Sequence, residues 1–337
     1  MLKKLRNLCL VLLAVFASHV QEVAAAVDQE APNLTEALDA MKQLASQTEP
    51  LRRDALNLME QKEIKVHRDL VYSAIDGVDA ARQSLDIYEP GSGSDDERGL
   101  PMVLYVHGGA WIAGDKDLAL YKPLAFVPDG FVFASTNYRF RPEASLIEMA
   151  QSVADAAGWL TRNASDYGAD SKRIFLIGHS AGAHLVSLLG TNTSFLTNAG
   201  VPITAIRGVV SLDTAVYDLP KLVNSPTGKF QGSIFKGNES YFTMASPWHH
   251  VSEDTAHPPF LIFYSDGRPD AITQTIPFGE RLRSAGHTAI VIEAKGRDHG
   301  AIDQKIGTEG DKPTAEIRAF LQKYSLYGSG PGARSNW

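Results

Sequence analysis

Residues 173–190 read RIFLIGHSAGAHLVSLLG. Ile174 to Ile177 form a short continuous apolar run, the pattern of a strand buried on both faces. From Ala181 onward the residues are small or leucine-rich and favour a helix. Between the two lies Gly178-His179-Ser180-Ala181-Gly182, a G-x-S-x-G pattern in the strand–turn–helix context that gives it meaning. A serine alcohol is a poor nucleophile. Forcing it onto a strained turn, with glycines on either side so that backbone passes closely, exposes its hydroxyl. Ser180 is therefore the candidate nucleophile.

Working outward, similar apolar runs recur at Ile64–Tyr72, Gln83–Tyr88, Met102–His107, Val127–Tyr138, Gly208–Leu212, Pro259–Tyr264 and Thr288–Ala294. Helical stretches separate the later ones, at Leu146–Thr161, Ala181–Gly190, Gln274–Ala285 and Pro313–Tyr324. Such alternation predicts an α/β fold: a mainly parallel eight-stranded sheet with helices on both faces. The first two strands leave no room for a helix between them and should be antiparallel. Ahead of the sheet, residues 27–62 carry Leu34, Leu38, Met41 and Leu44 at helical spacing, which predicts an amphipathic helix. The catalytic domain is expected over residues 63–326. Within it, Thr214–His257 lacks a convincing strand or long helix and reads as a lid-like insertion. Residues 91–98 (GSGSDDER) read as a polar turn, and residues 327–337 as a flexible tail.

A second glycine cluster, His107-Gly108-Gly109-Ala110-Trp111, closes the strand that ends at Val106. Attack on a carbonyl places negative charge on its oxygen, best met by preorganised backbone N–H groups. The amides of Gly109, Ala110 and Ala181 are the expected oxyanion hole. His107, Gly108, Trp111 and His179 are expected around the substrate pocket, with His107 bracing the loop and not serving as the base.

The stretches LYVHGGAWIAGDK (104–116), NYRFRPEASL (137–146) and DSKRIFLIGHSAGAHL (170–185) resemble the α/β-hydrolase superfamily. Within it they are similar to esterases with an HGG-x-W motif, which include hormone-sensitive-lipase-like, feruloyl-esterase-like and kynurenine-formamidase-like enzymes. The resemblance runs from about Ile64 to Leu326. Ala110 stands where the lipase-like branch commonly has a third glycine, which favours the HGG-x-W carboxylesterases. The resemblance implies a triad in chain order serine, acid, histidine. It places the base at His299, in Gly296-Arg297-Asp298-His299-Gly300 after the last strand. It places the acid after the strand Pro259–Tyr264, near residue 267 or 268, between Asp266 and Asp270. Asp266, at the strand end, is preferred, and Asp270 is the alternative. Asp213 and Asp218, beyond the sixth strand, read as loop charges near the pocket. His184 should pack against the nucleophile turn, and His249 and His250 are candidates to line the pocket.

Composition bounds the rest. The chain has 337 residues, 44% apolar and 21% charged, with a formal net charge of −7. That is a globular composition without the basic footprint of a nucleic-acid binder. The only cysteine is Cys9, so no intramolecular disulfide forms and no thiolate metal cluster exists. Lys3, Lys4 and Arg6, the apolar run Leu8–Ala17 and Ala24-Ala25-Ala26 read as a secretory signal over residues 1–26. That run is too short to span a bilayer, so stable membrane insertion after cleavage is not expected. Cleavage after Ala26 removes Lys3, Lys4, Arg6 and Glu22 and takes the net charge from −7 to −9. The expectation is an exported, periplasmic or extracellular serine carboxylesterase without metal or organic cofactor. Its partners would be small-molecule or polysaccharide-linked esters, such as short-chain, aryl, acetyl or feruloyl esters. An arylformamidase-type amide hydrolase and a non-catalytic binding protein on the same scaffold are the alternatives. Neither the oligomeric state nor the ester itself is legible.

Overall fold

The computed structural model describes residues 34–326, apart from 93–95, 226, 227, 229, 230, 232–234 and 236. The signal segment, the C-terminal tail, part of the polar turn at 91–98 and the side chains of Leu34, Leu38, Met41 and Leu44 lie outside the described residues.

Eight strands form one sheet: β1 (Ile64–Val71), β2 (Ser84–Pro90), β3 (Leu100–Val106), β4 (Val132–Thr136), β5 (Ala169–His179), β6 (Ile206–Leu212), β7 (Phe260–Ser265) and β8 (Ala289–Ala294). Their spatial order is β1-β2-β4-β3-β5-β6-β7-β8. β2 runs antiparallel to both β1 and β4, as the short first connection requires. From β4 to β8 all neighbours are parallel. The chain leaves β3 toward β4 on one side and reaches β5 on the other. The crevice beyond the carboxyl ends of β3 and β5 is thus a switch point, where ligands bind in open α/β sheets.

The longer helices are α1 (Leu34–Gln61), α2 (Leu146–Asn163), α3 (Ala181–Thr191), α4 (Pro269–Ser284) and α5 (Lys312–Leu326). Side chains alternate across the sheet with a period of two. Met102, Leu104 and Val106 of β3 and Ile174 and Leu176 of β5 join one core with α2, α3 and α4. Val103, Tyr105, Phe175 and Ile177 join another with the end of α1, the short helix Lys122–Phe126 and α5. Both faces are covered, which explains why the central strands are apolar throughout. α2 starts at a capping box in which Ser145 and Glu148 satisfy each other's backbone amides. The turn into β5 is tied by Asp170, which accepts from the Lys172 amide at 2.9 Å and from Arg173 Nε at 2.7 Å.

Some boundaries differ from the sequence expectation. β4 begins at Val132, because Val127 closes a helix and residues 128–130 turn at Gly130, with φ of 86°. α4 begins at Pro269 and not near Gln274; proline fits the first helical turn, where its missing N–H would have no partner. In the stretch 214–257, the described residues hold only short helices at Leu219–Val223, Glu239–Met244 and Pro247–His250.

The end of α1 docks through Ala55 and Met59 and through charges. Asp86 of β2 is fully buried. It accepts from Lys116 Nζ at 2.9 Å, Arg68 NH1 at 3.1 Å and the Asp69 amide at 2.9 Å. Arg68 also meets Asp117, which pairs with Arg52 of α1 at 2.8 Å. Removing one partner of a buried charge network strands the others. Asp86→Asn is expected to cost about 3 kcal/mol or more, read as a lower melting temperature with the reactivity of Ser180 per folded molecule unchanged.

Candidate active site

Ser180 stands one residue beyond β5 and directly before α3, with φ 55° and ψ −115°, a region that non-glycine residues avoid. The neighbouring packing holds it there. A Cβ on Gly178 would run into the Gly182 carbonyl, and one on Gly182 into the backbone of Val106 and His107. Both motif glycines are required by close approach. The elbow thereby lies directly on the end of β3, and a methyl on Gly108 would come within 3.0 Å of Ser180 Cβ. The Ser180 amide donates to the Leu212 carbonyl at 2.9 Å, which extends the β5–β6 ladder by one step.

The glycine loop after β3 adopts positive φ at Gly109 (133°), Ala110 (52°) and Trp111 (61°). The Gly109 carbonyl accepts from the Ile112 and Ala113 amides at 3.0 Å each, and the Trp111 carbonyl accepts from the Arg141 amide at 2.8 Å. Ala181 is the first residue of α3, so its amide has no partner within the helix. The glycine loop after β3 and the first turn of α3 thus both lie against Ser180.

His299 follows β8. Its Nε2 lies 2.9 Å from Ser180 Oγ, and its Nδ1 lies 2.6 Å from Asp213 Oδ2. The carboxylate beside His299 is therefore neither Asp266, the preferred candidate, nor Asp270, the alternative. Asp266 is exposed, and its amide donates to the Arg297 carbonyl at 3.0 Å. Asp270 pairs with Arg268, NH2 to Oδ2, at 2.6 Å. The physical reason lies in the register. Leu212 of β6 stands opposite Phe263 of β7, so Asp213 emerges level with the end of β7. Its Oδ1 accepts from the Ser265 amide at 2.8 Å and its Oδ2 from the Ser265 hydroxyl at 2.6 Å. The chain then turns at Gly267 (φ 73°), and Asp266 is left on the solvent side.

Asp213 is fully buried. Burial opposes its ionisation, but the hydrogen bond to His299 and the Arg268 charge outweigh that and hold its carboxyl far below the usual carboxylate range. The other histidines serve as braces. Burial pushes His179 down to about 4, and its Nε2 donates to the His299 carbonyl at 2.8 Å. Burial does the same to His184, which accepts at Nδ1 from Trp111 Nε1 (3.2 Å) and donates from Nε2 to the Ala245 carbonyl (2.8 Å). His184 thus ties α3 to the glycine loop and to the 214–257 segment. His107 is wholly buried, donates from Nδ1 to the Gly108 carbonyl and stacks on Tyr138 at 4.7 Å. Trp111 is only 4% exposed, so it and His107 build the loop from within. His250 bonds the Met244 carbonyl and His249 pairs with Asp218 at 3.4 Å, so both hold the 214–257 segment together.

Residues 85–275, more than half of the chain, match the BD-FAE family model. The chain belongs to the BD-FAE family. The BD-FAE match includes Ser180 and Asp213 but stops before His299, whose pairing rests on the geometry above. The isoprenylcysteine alpha-carbonyl methylesterase ICME of Arabidopsis thaliana is 28% identical over 70% of this chain and 56% of its own length. Esterase LipQ of Mycobacterium tuberculosis is 28% identical over 70% of this chain and 58% of its own. The chain thus spans little more than half the length of these curated relatives. Among solved structures, a truncated carbohydrate esterase from gut microbiota superposes with a TM-score of 0.66 at 20% identity, covering 80% of this chain and 99% of that one. Esterase B from Lactobacillus rhamnosis superposes with a TM-score of 0.66 at 18% identity, over 86% and 95% of the two chains. These likenesses establish the α/β-hydrolase fold of this BD-FAE member. Among the described residues, no cluster of three or more metal-ligating side chains exists and no helix is long and apolar enough to cross a membrane.

Two outcomes follow for the BD-FAE site. Labelling of Ser180 by a fluorophosphonate should slow about 10³- to 10⁴-fold in Asp213→Asn, which loses the hold on the productive His299 tautomer, and stay within about twofold in Asp266→Asn. A comparable loss in Asp266→Asn would sink the assignment of Asp213. His184 is neutral when folded but takes a proton near pH 6.5 once unfolded. Its contribution is complete above that value and is lost as pH falls toward about 4. Melting temperatures of His184→Gln should accordingly fall less steeply between pH 7 and pH 4.5 than those of the unaltered protein.

Proposed function

We propose that this protein is an exported serine carboxylesterase that works through an acyl-enzyme. The observation that carries the reading is the line Ser180 Oγ, His299 Nε2, His299 Nδ1, Asp213 Oδ2, with separations of 2.9 Å and 2.6 Å at its two hydrogen bonds. Such a line has the three parts of a charge-stabilised nucleophile on a strand-to-helix elbow.

His299 Nε2 takes the Ser180 proton as Oγ attacks the ester carbonyl. The carbonyl oxygen gains a full charge, which the Ala181, Gly109 and Ala110 amides meet. Those amides are fixed before the reaction, so little reorganisation is needed as the charge develops. Asp213 steadies the imidazolium and remains ionised throughout, consistent with its strongly lowered carboxyl. His299 then gives its proton to the leaving alcohol, which departs as the carbonyl reforms. A water deprotonated by His299 attacks the acyl group, and the same amides hold the second oxyanion. Acid is released, Ser180 regains its proton, and no metal is required at any step.

Substrate class rests on charge and on the relatives' names. The chain is acidic, and Arg268, the guanidinium beside His299, is engaged by two carboxylates. That arrangement offers no spare cation to an anionic substrate, so neutral esters fit best: short-chain or aryl esters, or acetyl and feruloyl groups on polysaccharide. Relatives named as a methylesterase and an esterase support ester chemistry. Export is read from residues 1–26 and is tested by cell fractionation.

A series of p-nitrophenyl esters of increasing acyl length, set beside methyl ferulate and acetylated xylan, tests the reading. Turnover is expected to be greatest on short acyl chains and to vanish in Ser180→Ala. Equal turnover by Ser180→Ala, or N-formylkynurenine cleaved faster than every ester, would overturn it.

A further inference from the structure

The carboxylate beside His299 comes from the end of β6, and the position after β7 holds Arg268 instead. Its guanidinium touches three groups. NH1 donates to Asp213 Oδ2 at 2.9 Å, approaches the Asp213 carbonyl at 3.4 Å and lies 2.7 Å from His299 Nδ1. Nε and NH2 form a fork on the two oxygens of Asp270, at 3.3 and 2.6 Å. His299 Nδ1 therefore faces Asp213 Oδ2 and Arg268 NH1 at almost the same distance.

A carboxylate only accepts and a guanidinium only donates, so these neighbours demand opposite states of Nδ1. With hydrogen on Nδ1, the ring donates to Asp213, and Nε2 keeps the lone pair that takes the Ser180 proton. With Nδ1 bare, Arg268 donates to it and the hydrogen sits on Nε2, so the ring has nothing left to accept with. Arg268 alone favours the idle tautomer and opposes a positive charge on the ring. Asp270 weakens both effects by offsetting the charge of the guanidinium, while its fork on Nε and NH2 leaves NH1 facing Asp213 and His299.

We propose that Arg268, restrained by Asp270, is a positioning residue that sets the balance between the two tautomers of His299 and the ease with which the ring takes up a proton. The proposal rests on the reading of His299 as the base. Other groups face the ring as well. Asp213 comes from the end of β6, and His179 comes from the elbow, with ring centroids 4.8 Å apart. Behind His179 lies Asp303, which pairs with Lys122 at 3.0 Å. On the histidine's own loop, Asp298 accepts from the Gly300 and Ala301 amides, and Arg297 pairs with Asp311 at 2.9 Å. These groups are unchanged in variants at 268 and 270, so differences between variants report on Arg268 and Asp270.

The test is kcat/KM for p-nitrophenyl acetate against pH, together with a nitrogen-15 NMR titration of the His299 ring assigned with His299→Gln. Arg268→Met removes the charge, and the acid limb and the NMR midpoint should both rise by about one pH unit. Asp270→Asn leaves Arg268 uncompensated, and both should fall by about half a unit, with the resting ring shifted toward the Nε2–H form. Arg268→Lys keeps the charge and should stay within about 0.3 unit of the unaltered enzyme. Shifts of Arg268→Met and Asp270→Asn in the same direction, or a lower kcat with both midpoints unmoved, would overturn the proposal and leave the pair as a tie in the loop after β7. Should Arg268→Met fail to fold, Asp270→Asn decides, because an upward or absent shift refutes the proposal. An unaltered enzyme without esterase activity would refute the functional reading instead, while the NMR titration would still decide the role of Arg268.

Discussion

The site is organised by a buried negative charge. Asp213 has no exposed surface, and an ionised carboxylate in such a place persists only when its oxygens are filled by donors. Ser265 supplies two of them, its amide and its hydroxyl, and Arg268 and His299 supply the others. Three of these donors sit at the end of β7 or just past it, and one belongs to the loop after β8. The ends of three strands are thereby fixed relative to one another around one carboxyl group. His299 can then present Nε2 in only one direction, which is where the elbow after β5 places Ser180 Oγ.

The elbow is constrained just as tightly by absent side chains. Gly182 lies on the backbone of Val106 and His107, and Gly178 lies on Gly182. The Ser180 turn and the start of the glycine loop after β3 are consequently one packed unit. His184 extends it, since one imidazole accepts from Trp111 in the loop and donates to Ala245 in the 214–257 segment. Such a unit cannot flex at one end alone, and preorganised amides of this kind are what make an oxyanion hole effective.

What the sequence makes legible follows from the range of each interaction. All eight strands are visible: the inner ones, buried on both faces, read as local apolar runs, and the half-exposed edge strands β1 and β8 keep enough apolar residues to be read. The Ser180 elbow and the glycine loop beside it are visible because the glycines that shape them are neighbours in the chain. His299 is visible as the histidine after the last strand. The carboxylate beside His299 is not, because its identity depends on the register of β6 against β7, which no local pattern encodes. β6 and β7 are adjacent and parallel, and each is followed within one residue of its end by an aspartate, Asp213 or Asp266. Two local signs did point to the answer. Asp213 directly follows the apolar run Gly208–Leu212, and the place where the resemblance puts an acid, near residue 268, carries an arginine. A cation there is incompatible with an acid at the same point and implies that the carboxylate enters from elsewhere.

Moving the acid to β6 changes how charge is distributed without changing its sum. Asp213, Asp270 and Arg268 together carry one net negative charge, the same as a lone triad acid. Uptake of a proton by His299, the step on which the proposed mechanism rests, would therefore bring the cluster to neutrality. The difference is that the balance is held by three side chains and not one. Asp213 is held by the β6–β7 register, whereas Arg268 and Asp270 belong to the start of α4 and its cap. The field at His299 therefore depends on how α4 begins, and Pro269, which fixes the first turn of that helix, becomes part of what tunes the base. The two charges in contact with His299, on Asp213 and Arg268, are thus compensated by one another and by Asp270.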